Sequence, residues 1–210
     1  MKDLIILVAD LDTENVLLGL LPRLEHVYGT RKFTFDIKRH PYRDPGCFTG
    51  STDFLRPFSI QYRHALVVFD REGSGQEKLM REAIEQKVES DLQTNGWSSG
   101  QVATIAIDPE VENWMWVNSP RVADALKWEG DEPLYDWLKN NGWLTENADK
   151  PERPKEAMEA VLKKTKKARS ASIYNQIASS TSFTKCKDEA FLKMVHVLKI
   201  WFTRTEPCEF

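Results

Sequence analysis

The stretch that decides the fold is ALVVFDREGSG, Ala65–Gly75, in which an apolar run gives way to acids and then to glycines. A short apolar run that ends in charge predicts a buried strand of a parallel sheet. Asp70 and Glu72, one residue apart at the end of this strand, could converge on a hard cation such as Mg²⁺. They could equally be acids at the positive end of the helix predicted next. Both interpretations stay open for this stretch taken alone.

The same pattern of an apolar strand followed by acids occurs twice more. Leu4–Ala9, LIILVA, is followed at once by Asp10, and Val102–Ile107, VATIAI, is followed by DPEVE, which ends in Glu112. In open parallel sheets, ligands bind beyond the carboxyl ends of the strands, which share one edge. The acids that this argument places at the shared edge are Asp10, Asp70, Glu72 and Glu112.

Periodicity predicts the remaining elements. Alternating apolar residues predict a half-buried strand over Lys32–Arg39, and the following RHPYRDPGCF, broken by proline and glycine, predicts a loop. Apolar residues at spacings of three and four predict helices over Thr13–Tyr28, Gln76–Leu92, Ser119–Lys127, Pro133–Asn140, Pro154–Arg169, Ala168–Ser182 and Lys187–Phe202. The expected fold is α/β: a four-stranded, mainly parallel sheet flanked by helices, with an all-helical C-terminal extension.

Length and composition limit the number of domains and the kind of surface that the chain can form. The chain has 210 residues, 41% of them hydrophobic, and a formal net charge of −3. A chain of this length can bury one substantial core. The composition changes from Glu129 onward, which predicts an α/β domain over residues 1–128 and a helical extension over 129–210 packed on it. A slightly acidic total argues against a globally basic surface for nucleic acid, although local basic patches are compatible with it.

Cysteine usage and the N-terminal apolar run bear on the compartment. Cys47, Cys186 and Cys208 are far apart and have no metal-ligand spacing, which indicates a reducing cytoplasmic setting. Leu4–Ala9 is too short to cross a membrane and runs directly into acids, so neither a signal peptide nor a membrane partner is expected.

Clustered carboxylates need a compensating charge. Several carboxylates held close together cannot all stay ionised unless a cation neutralises them, since their mutual repulsion raises their pKa values. A divalent metal would meet that need. Arg39 and Arg43, in the loop after the second strand, could hold phosphate oxygens, or they could be ordinary surface arginines.

Three motifs in chain order carry a family resemblance. VADLDTE (8–14), VVFDREG (67–73) and IDPEVENW (107–114) together resemble the Toprim fold of topoisomerases, primases and overcoming-lysogenization-defect nucleases. The chain is most similar to small stand-alone Toprim-like proteins of bacterial anti-phage defence, including components of methylation-associated defence systems. It departs from the family in two places, with Asp10–Leu11 where Glu–Gly is usual and D-x-E, Asp70 to Glu72, where D-x-D is usual.

The resemblance implies roles for the acids and for Arg71. Asp70, Glu72 and Glu112 would hold Mg²⁺ or Mn²⁺, and Asp10 would be a further ligand or a general acid/base. Glu14, on the first turn of the helix, would support them, and Arg71 would neutralise a phosphate.

A basic segment lies in the C-terminal half. Lys163, Lys164, Lys166 and Lys167, followed by Arg169, could contact a nucleic-acid backbone, or could simply be the solvated end of a helix.

These observations lead to two hypotheses of different class. The first is a Mg²⁺- or Mn²⁺-dependent nuclease or phosphoryl-transfer component of a bacterial anti-phage defence system, cytoplasmic and acting with other defence proteins on nucleic acid. The second is a non-catalytic Toprim-like subunit that binds a partner protein or a nucleotide through the same edge. A flavodoxin-like binder of small molecules is disfavoured, because no glycine-rich phosphate loop follows the first strand.

Overall fold

The fold is built on a four-stranded sheet in which all strands are parallel. In a computed structural model, which describes residues 1–204, the strands are β1 (Lys2–Val8), β2 (Phe35–Arg39), β3 (Tyr62–Asp70) and β4 (Val102–Ile107). Their order across the sheet is β2-β1-β3-β4, with β2 and β4 at the two edges. The predicted α/β class with a parallel sheet is confirmed.

Ten helices surround this sheet within residues 1–204. They are α1 (Leu11–Leu20), α2 (Leu24–Tyr28), α3 (Arg43–Leu55), α4 (Arg81–Thr94), α5 (Glu112–Met115), α6 (Pro120–Ala125), α7 (Leu134–Asn140), α8 (Pro154–Lys164), α9 (Ala171–Ser180) and α10 (Glu189–Trp201). Short 3-10 turns extend α1 and α3. The C-terminal half is helical throughout its described part, as predicted, and residues 205–210 lie outside that part.

Helix α3 is the element that the sequence did not predict. It occupies most of the stretch predicted as a loop, with Pro45 in its first turn, where a missing N–H costs nothing. Gly46 and Gly50 have a packing role: a Cβ at Gly46 would collide with the ring of the buried His40, and one at Gly50 would lie 2.9 Å from its Nε2. These glycines therefore fit a helix whose face carries the His40 side chain.

Helix α4 starts later than predicted, at Arg81 instead of Gln76. The preceding residues form a loop in which Gly73 and Gly75 have positive φ and donate their N–H groups to Oε1 of Glu77. The Arg71 guanidinium closes the loop by donating to the carbonyl oxygens of Glu77 and Leu79. Hydrogen bonds within the loop thus replace the first helical turn that was expected.

The two faces of the sheet pack against different helices. Ile5, Leu7, Val67 and Phe69 face the core formed with α3 and α4. The alternate residues of β1 and β3 face a larger core formed with α1 and the C-terminal helices, in which Trp114 and Trp116 are fully buried. Packing, and not base stacking, is therefore the role of both tryptophans. The described part of the C-terminal extension covers one face of the sheet.

Helix α1 is in close contact with α9. A Cβ added at Gly19 would lie 2.8 Å from the Cβ of Ala178, so the two helices approach closely at this point. Among residues 1–204, no helix combines the length and the apolar character needed to span a membrane.

A carboxylate site at the carboxyl edge of the sheet

Three aspartates from three segments meet beyond the carboxyl ends of the strands. Asp10 follows β1 and caps the N-terminus of α1, Asp70 is the last residue of β3, and Asp44 lies in the first turn of α3, just after β2. We call Asp10, Asp44 and Asp70 the open triad. Sequence reasoning predicted Asp10 and Asp70 at this edge but did not consider Asp44.

Each member of the open triad uses one carboxylate oxygen to bind a backbone N–H. Oδ1 of Asp10 accepts from Thr13, Oδ1 of Asp44 accepts from Asp70, and Oδ1 of Asp70 accepts from Val111, each at 2.9 Å. The second oxygen of each has no hydrogen-bond or ion-pair partner among residues 1–204. The backbone thus holds the three carboxylates in place while one oxygen of each stays available.

The pKa values show that these carboxylates repel one another. Burial raises the pKa of Asp70 well above its usual range, and the negative charges of Asp44, Glu112 and Asp10 raise it further. Burial also raises the pKa of Asp44, and Asp10 adds to that effect. The positive charge of Lys155 lowers the pKa of Asp44 in part, but burial and the neighbouring acids outweigh it.

Two further carboxylates at this edge do have positively charged partners, and we call Glu110 and Glu112 the closed pair. The Lys155 ammonium lies 2.9 Å from Oε1 of Glu110. Oε1 of Glu112 accepts from the Tyr174 hydroxyl at 2.7 Å and from the Arg169 guanidinium at 2.8 Å. Helix α8, the segment after it and helix α9 thus supply the partners of the closed pair.

Arg169 joins several acids at once. Besides Glu112, its guanidinium contacts Asp12 at 2.8 Å and Glu159 at 3.1 Å, and it lies over the ring of Tyr174. Burial nevertheless raises the pKa of Glu112, because the partners only partly offset the loss of water. Arg169 is the residue that ties the C-terminal segment to the carboxylate edge.

Other predicted site residues are not part of the triad. Glu72 is exposed, and its side chain has no hydrogen-bond or ion-pair partner within residues 1–204. Glu14 pairs with Arg39 at 3.0 Å, which places both beside α1. The Arg71 guanidinium binds the Asp108 carboxylate and the carbonyl oxygen of Leu79, so it stabilises the loop between β3 and α4. Arg43 is exposed next to Asp44.

The basic segment is divided in its contacts. Lys163, Lys164 and Lys166 are exposed, whereas Lys167 donates to the carbonyl oxygen of Ala125, and burial lowers its pKa. The segment leads directly into Arg169 and thus to the carboxylate edge. Three of its four lysines are accessible to a ligand.

The donor chemistry of the open triad fits Mg²⁺ or Mn²⁺, which favour carboxylate oxygens. In the described residues no group of three or more His, Cys, Asp or Glu is arranged so that it could hold a metal ion. Mg²⁺ often uses only one or two carboxylates, together with water and substrate phosphates. One or two members of the triad are therefore the protein ligands that this edge can offer.

A separate groove of about 1060 Å³ lies beside α7 and the segment before α10. Its wall contains lysines, aspartates and a glutamate, together with Trp116, Tyr135, Phe183 and Cys186. None of the residues of the open triad or the closed pair lines this groove.

Sequence reasoning missed Asp44, Lys155 and Tyr174, and noted Arg169 only as part of a basic run. Asp44 had a signal, since it is an acid shortly after a strand, like Asp10, but Pro45 and Gly46 made the segment resemble a loop. Lys155 and Tyr174 had none, because their partners are far away in the chain: Glu110 is 45 residues from Lys155 and Glu112 is 62 from Tyr174.

No protein-family model, curated protein or solved structure matches this chain significantly. The resemblance to the Toprim fold therefore stays a prediction from the three motifs.

Proposed function

We propose that this protein is a Mg²⁺- or Mn²⁺-dependent enzyme that cleaves phosphodiester bonds of nucleic acid in bacterial anti-phage defence. The observation that carries the proposal is the open triad: three carboxylates from three segments at the carboxyl edge of a parallel sheet, each with one unpartnered oxygen among the described residues. The raised pKa values of Asp44 and Asp70 add to it, since perturbed carboxyl groups in a cleft are typical of functional sites.

The metal would be held by members of the open triad. When bound, it would supply positive charge for phosphoryl oxygens and would lower the pKa of a bound water. The chain's own part is to keep Oδ1 of Asp10, Asp44 and Asp70 on backbone N–H groups, which leaves the other oxygen of each carboxylate without a partner among the described residues.

Exposed cations support a polyanionic substrate. Arg43 is exposed and adjacent to Asp44 in the chain, and Lys163, Lys164 and Lys166 are exposed at the C-terminal end of α8 and just beyond it. Sequence-independent contacts with phosphates are the usual role of such side chains. Other proteins of the defence system remain the proposed partners, on the strength of the Toprim resemblance.

A cleavage assay tests the proposal. The full chain is incubated with single- and double-stranded DNA and with RNA, in Mg²⁺, in Mn²⁺ and in a chelator. We expect metal-dependent cleavage that Asp70→Asn reduces by about 100-fold or more, since such a group would act on the reacting atoms. Asn at this position can still accept from the Val111 N–H.

The matched control is Asp124→Asn, which removes an exposed acid that only approaches Arg121 at 3.9 Å. This variant should cleave like the wild type. Metal-independent cleavage, or equal cleavage by Asp70→Asn, would refute the proposed site.

A second candidate is a non-catalytic subunit that binds a partner protein or a nucleotide through this edge. The observation in its favour is the closed pair, since Lys155 and Arg169 already neutralise Glu110 and Glu112 without any metal. It predicts that Asp70→Asn leaves phage protection intact in cells, whereas the first proposal predicts its loss. Purified protein that cleaves no nucleic acid, together with intact protection by Asp70→Asn, would favour this second candidate.

A further inference from the structure

The sheet has two edge strands, and one of them is covered. On β4 the outward N–H of Thr104 donates to Oε1 of Glu89 at 2.8 Å, and that of Ala106 donates to Oε1 of Glu85 at 3.0 Å. Both glutamates lie on α4, and Lys193 of α10 binds both of them. Side chains thus occupy the edge of β4 and prevent another strand from pairing there.

The opposite edge, on β2, has no such cover among residues 1–204. The backbone N–H of Leu4 donates to the carbonyl oxygen of Thr34, and that of His40 donates to the carbonyl oxygen of Val8. These bonds, with the register of β1 and β2, determine which backbone groups of β2 face β1. The N–H and C=O groups of Phe35, Ile37 and Arg39 therefore point outward. No described residue bonds to them.

The sequence of β2 is complementary to itself in one antiparallel register. When two copies pair about Ile37, Phe35 lies opposite Arg39 of the second copy, and each outward-facing pair can exchange two hydrogen bonds. Asp36, whose Oδ2 also accepts from Lys2 and from Tyr62 of its own chain, then lies opposite Lys38 of the second copy, at a position where cross-strand side chains are close. This charged contact occurs twice because of the two-fold symmetry.

The neighbouring registers are unfavourable. A β2 residue whose N–H and C=O point away from the sheet can pair only with another such residue of the second copy. The alternative registers therefore have the two-fold axis at Asp36 or at Lys38 instead of at Ile37. An axis at Asp36 places that aspartate opposite its own copy, and an axis at Lys38 places two lysines together. Like charges directly opposite each other destabilise a strand pair.

We propose that β2 is the dimerisation edge of this protein, and that two copies join by antiparallel β2–β2 pairing centred on Ile37. The result is a continuous sheet of eight strands in which the covered β4 edges lie at the outside. The inference is independent of the enzymatic proposal, because β2 pairing involves none of the triad residues.

The oligomeric state of the full chain, measured by sedimentation over a range of concentrations, tests the proposal. We expect a dimer for the wild type and a monomer for Ile37→Pro, which removes an outward N–H. Edge strands tolerate proline where the N–H points away from the sheet. Ile37→Val keeps the N–H and should stay dimeric. A monomeric wild type, or a dimeric and folded Ile37→Pro, would overturn the proposal.

Charge reversal gives a second, independent measurement. Lys38→Glu sets a glutamate against Asp36 of the second copy, and Asp36→Lys sets two lysines together, so each variant alone should be monomeric. An equal mixture of the two restores opposite charges at every contact and should form a heterodimer. A mixture that stays monomeric, with both variants folded by circular dichroism, would contradict this register.

Amide hydrogen exchange identifies any other occupant of the edge. In the dimer, the outward amides of Phe35, Ile37 and Arg39 should be as protected as the inward amides of Asp36 and Lys38. In Ile37→Pro, only the inward amides should stay protected. Protected outward amides in a monomeric wild type would mean that another part of the chain covers β2, and would refute pairing with a second copy.

Discussion

The open triad and the closed pair lie at the same edge of the sheet, yet they differ in their hydrogen-bond and ion-pair partners. Glu110 and Glu112 have a lysine and an arginine within 2.9 Å. Among the described residues, Asp10, Asp44 and Asp70 have only backbone N–H groups as partners, and each keeps an unpartnered oxygen. Glu110 and Glu112 are thus paired with side-chain cations, whereas Asp10, Asp44 and Asp70 are held by backbone N–H groups.

This difference separates structural acids from candidate functional ones. A buried carboxylate with a cation and a hydroxyl partner helps to hold the C-terminal segment on the sheet. Carboxylates that repel one another destabilise the fold when ionised, and such groups are typically found at functional sites. The variants below change one group at a time, and are ordered from the largest expected effect to the smallest.

Removing Arg169 should have the largest effect on stability. Arg169→Met leaves Glu112 with only Tyr174 as its side-chain partner, although the Glu112 side chain is just 2% exposed. We expect a loss of about 2 kcal/mol in the free energy of unfolding, at the low end for a broken buried pair because a third of Arg169 is exposed. Urea denaturation at neutral pH measures it.

The control for this variant is Arg121→Met. Arg121 is 66% exposed and only approaches Asp124 at 3.9 Å, so its removal should change stability by less than about 0.5 kcal/mol. Equal stabilities of the two variants would show that the closed pair does not hold the C-terminal segment.

Neutralising Asp70 should stabilise the protein, in contrast to Arg169→Met. The folded state raises the pKa of Asp70, so it keeps a proton that the unfolded chain has already released. Stability therefore falls as the pH rises from the unfolded pKa of about 3.9 through the folded value. Asp70→Asn removes this loss, and we expect a gain of the order of 1 kcal/mol at neutral pH.

The pH dependence of the gain is the decisive part of that measurement. Below the unfolded pKa both states of the wild type hold the proton, so the stabilisation by Asp70→Asn should disappear there. Urea denaturation in steps from about pH 3 to about pH 8 compares stability below and above the unfolded pKa. If Asp70→Asn stabilised the protein equally at the lowest and the highest pH, the charge of Asp70 would not be the cause of the gain.

The sequence predicted the features that depend on local pattern. Apolar runs such as Ala65–Phe69 end in acids because a buried strand must end where the chain reaches water. Parallel topology then brings Asp10 and Asp70 to one edge, as the structure shows. Two members of the open triad could be identified for that reason alone.

The remaining parts of the site depend on contacts that a single sequence does not reveal. Helix α3, and Asp44 with it, is possible because His40 packs over Gly46 and Gly50, whereas glycine taken alone indicates a loop. Glu72 is exposed and sits in a loop whose hydrogen bonds are made by its neighbours, Arg71 among them.

Metal binding should act on the open triad alone. With about 3 mM Mg²⁺ and a Kd of about 1 mM, the wild type should gain about 0.8 kcal/mol in stability. Asp70→Asn should gain much less, because it loses an anionic ligand. Glu72→Ala should gain as much as the wild type, since its side chain lies outside the triad. Thermal denaturation with and without Mg²⁺ gives all three values.

An equal response of Asp70→Asn and the wild type would place the cation elsewhere. Loss of the response in Glu72→Ala, with Asp70→Asn unaffected, would instead favour the site that the D-x-E motif predicts. NaCl at the same ionic strength controls for general screening of charge.

The smallest effect is expected at Lys155, the other cation of the closed pair. Lys155 is 43% exposed and contacts Glu110, whose side chain is 9% exposed. Water can partly replace the ammonium, so Lys155→Met should cost about 0.5 kcal/mol, less than Arg169→Met. The cost should shrink in about 1 M NaCl, where exposed charges are screened. If Lys155→Met and Arg169→Met lost the same free energy of unfolding, exposure would not explain the strength of the two ion pairs.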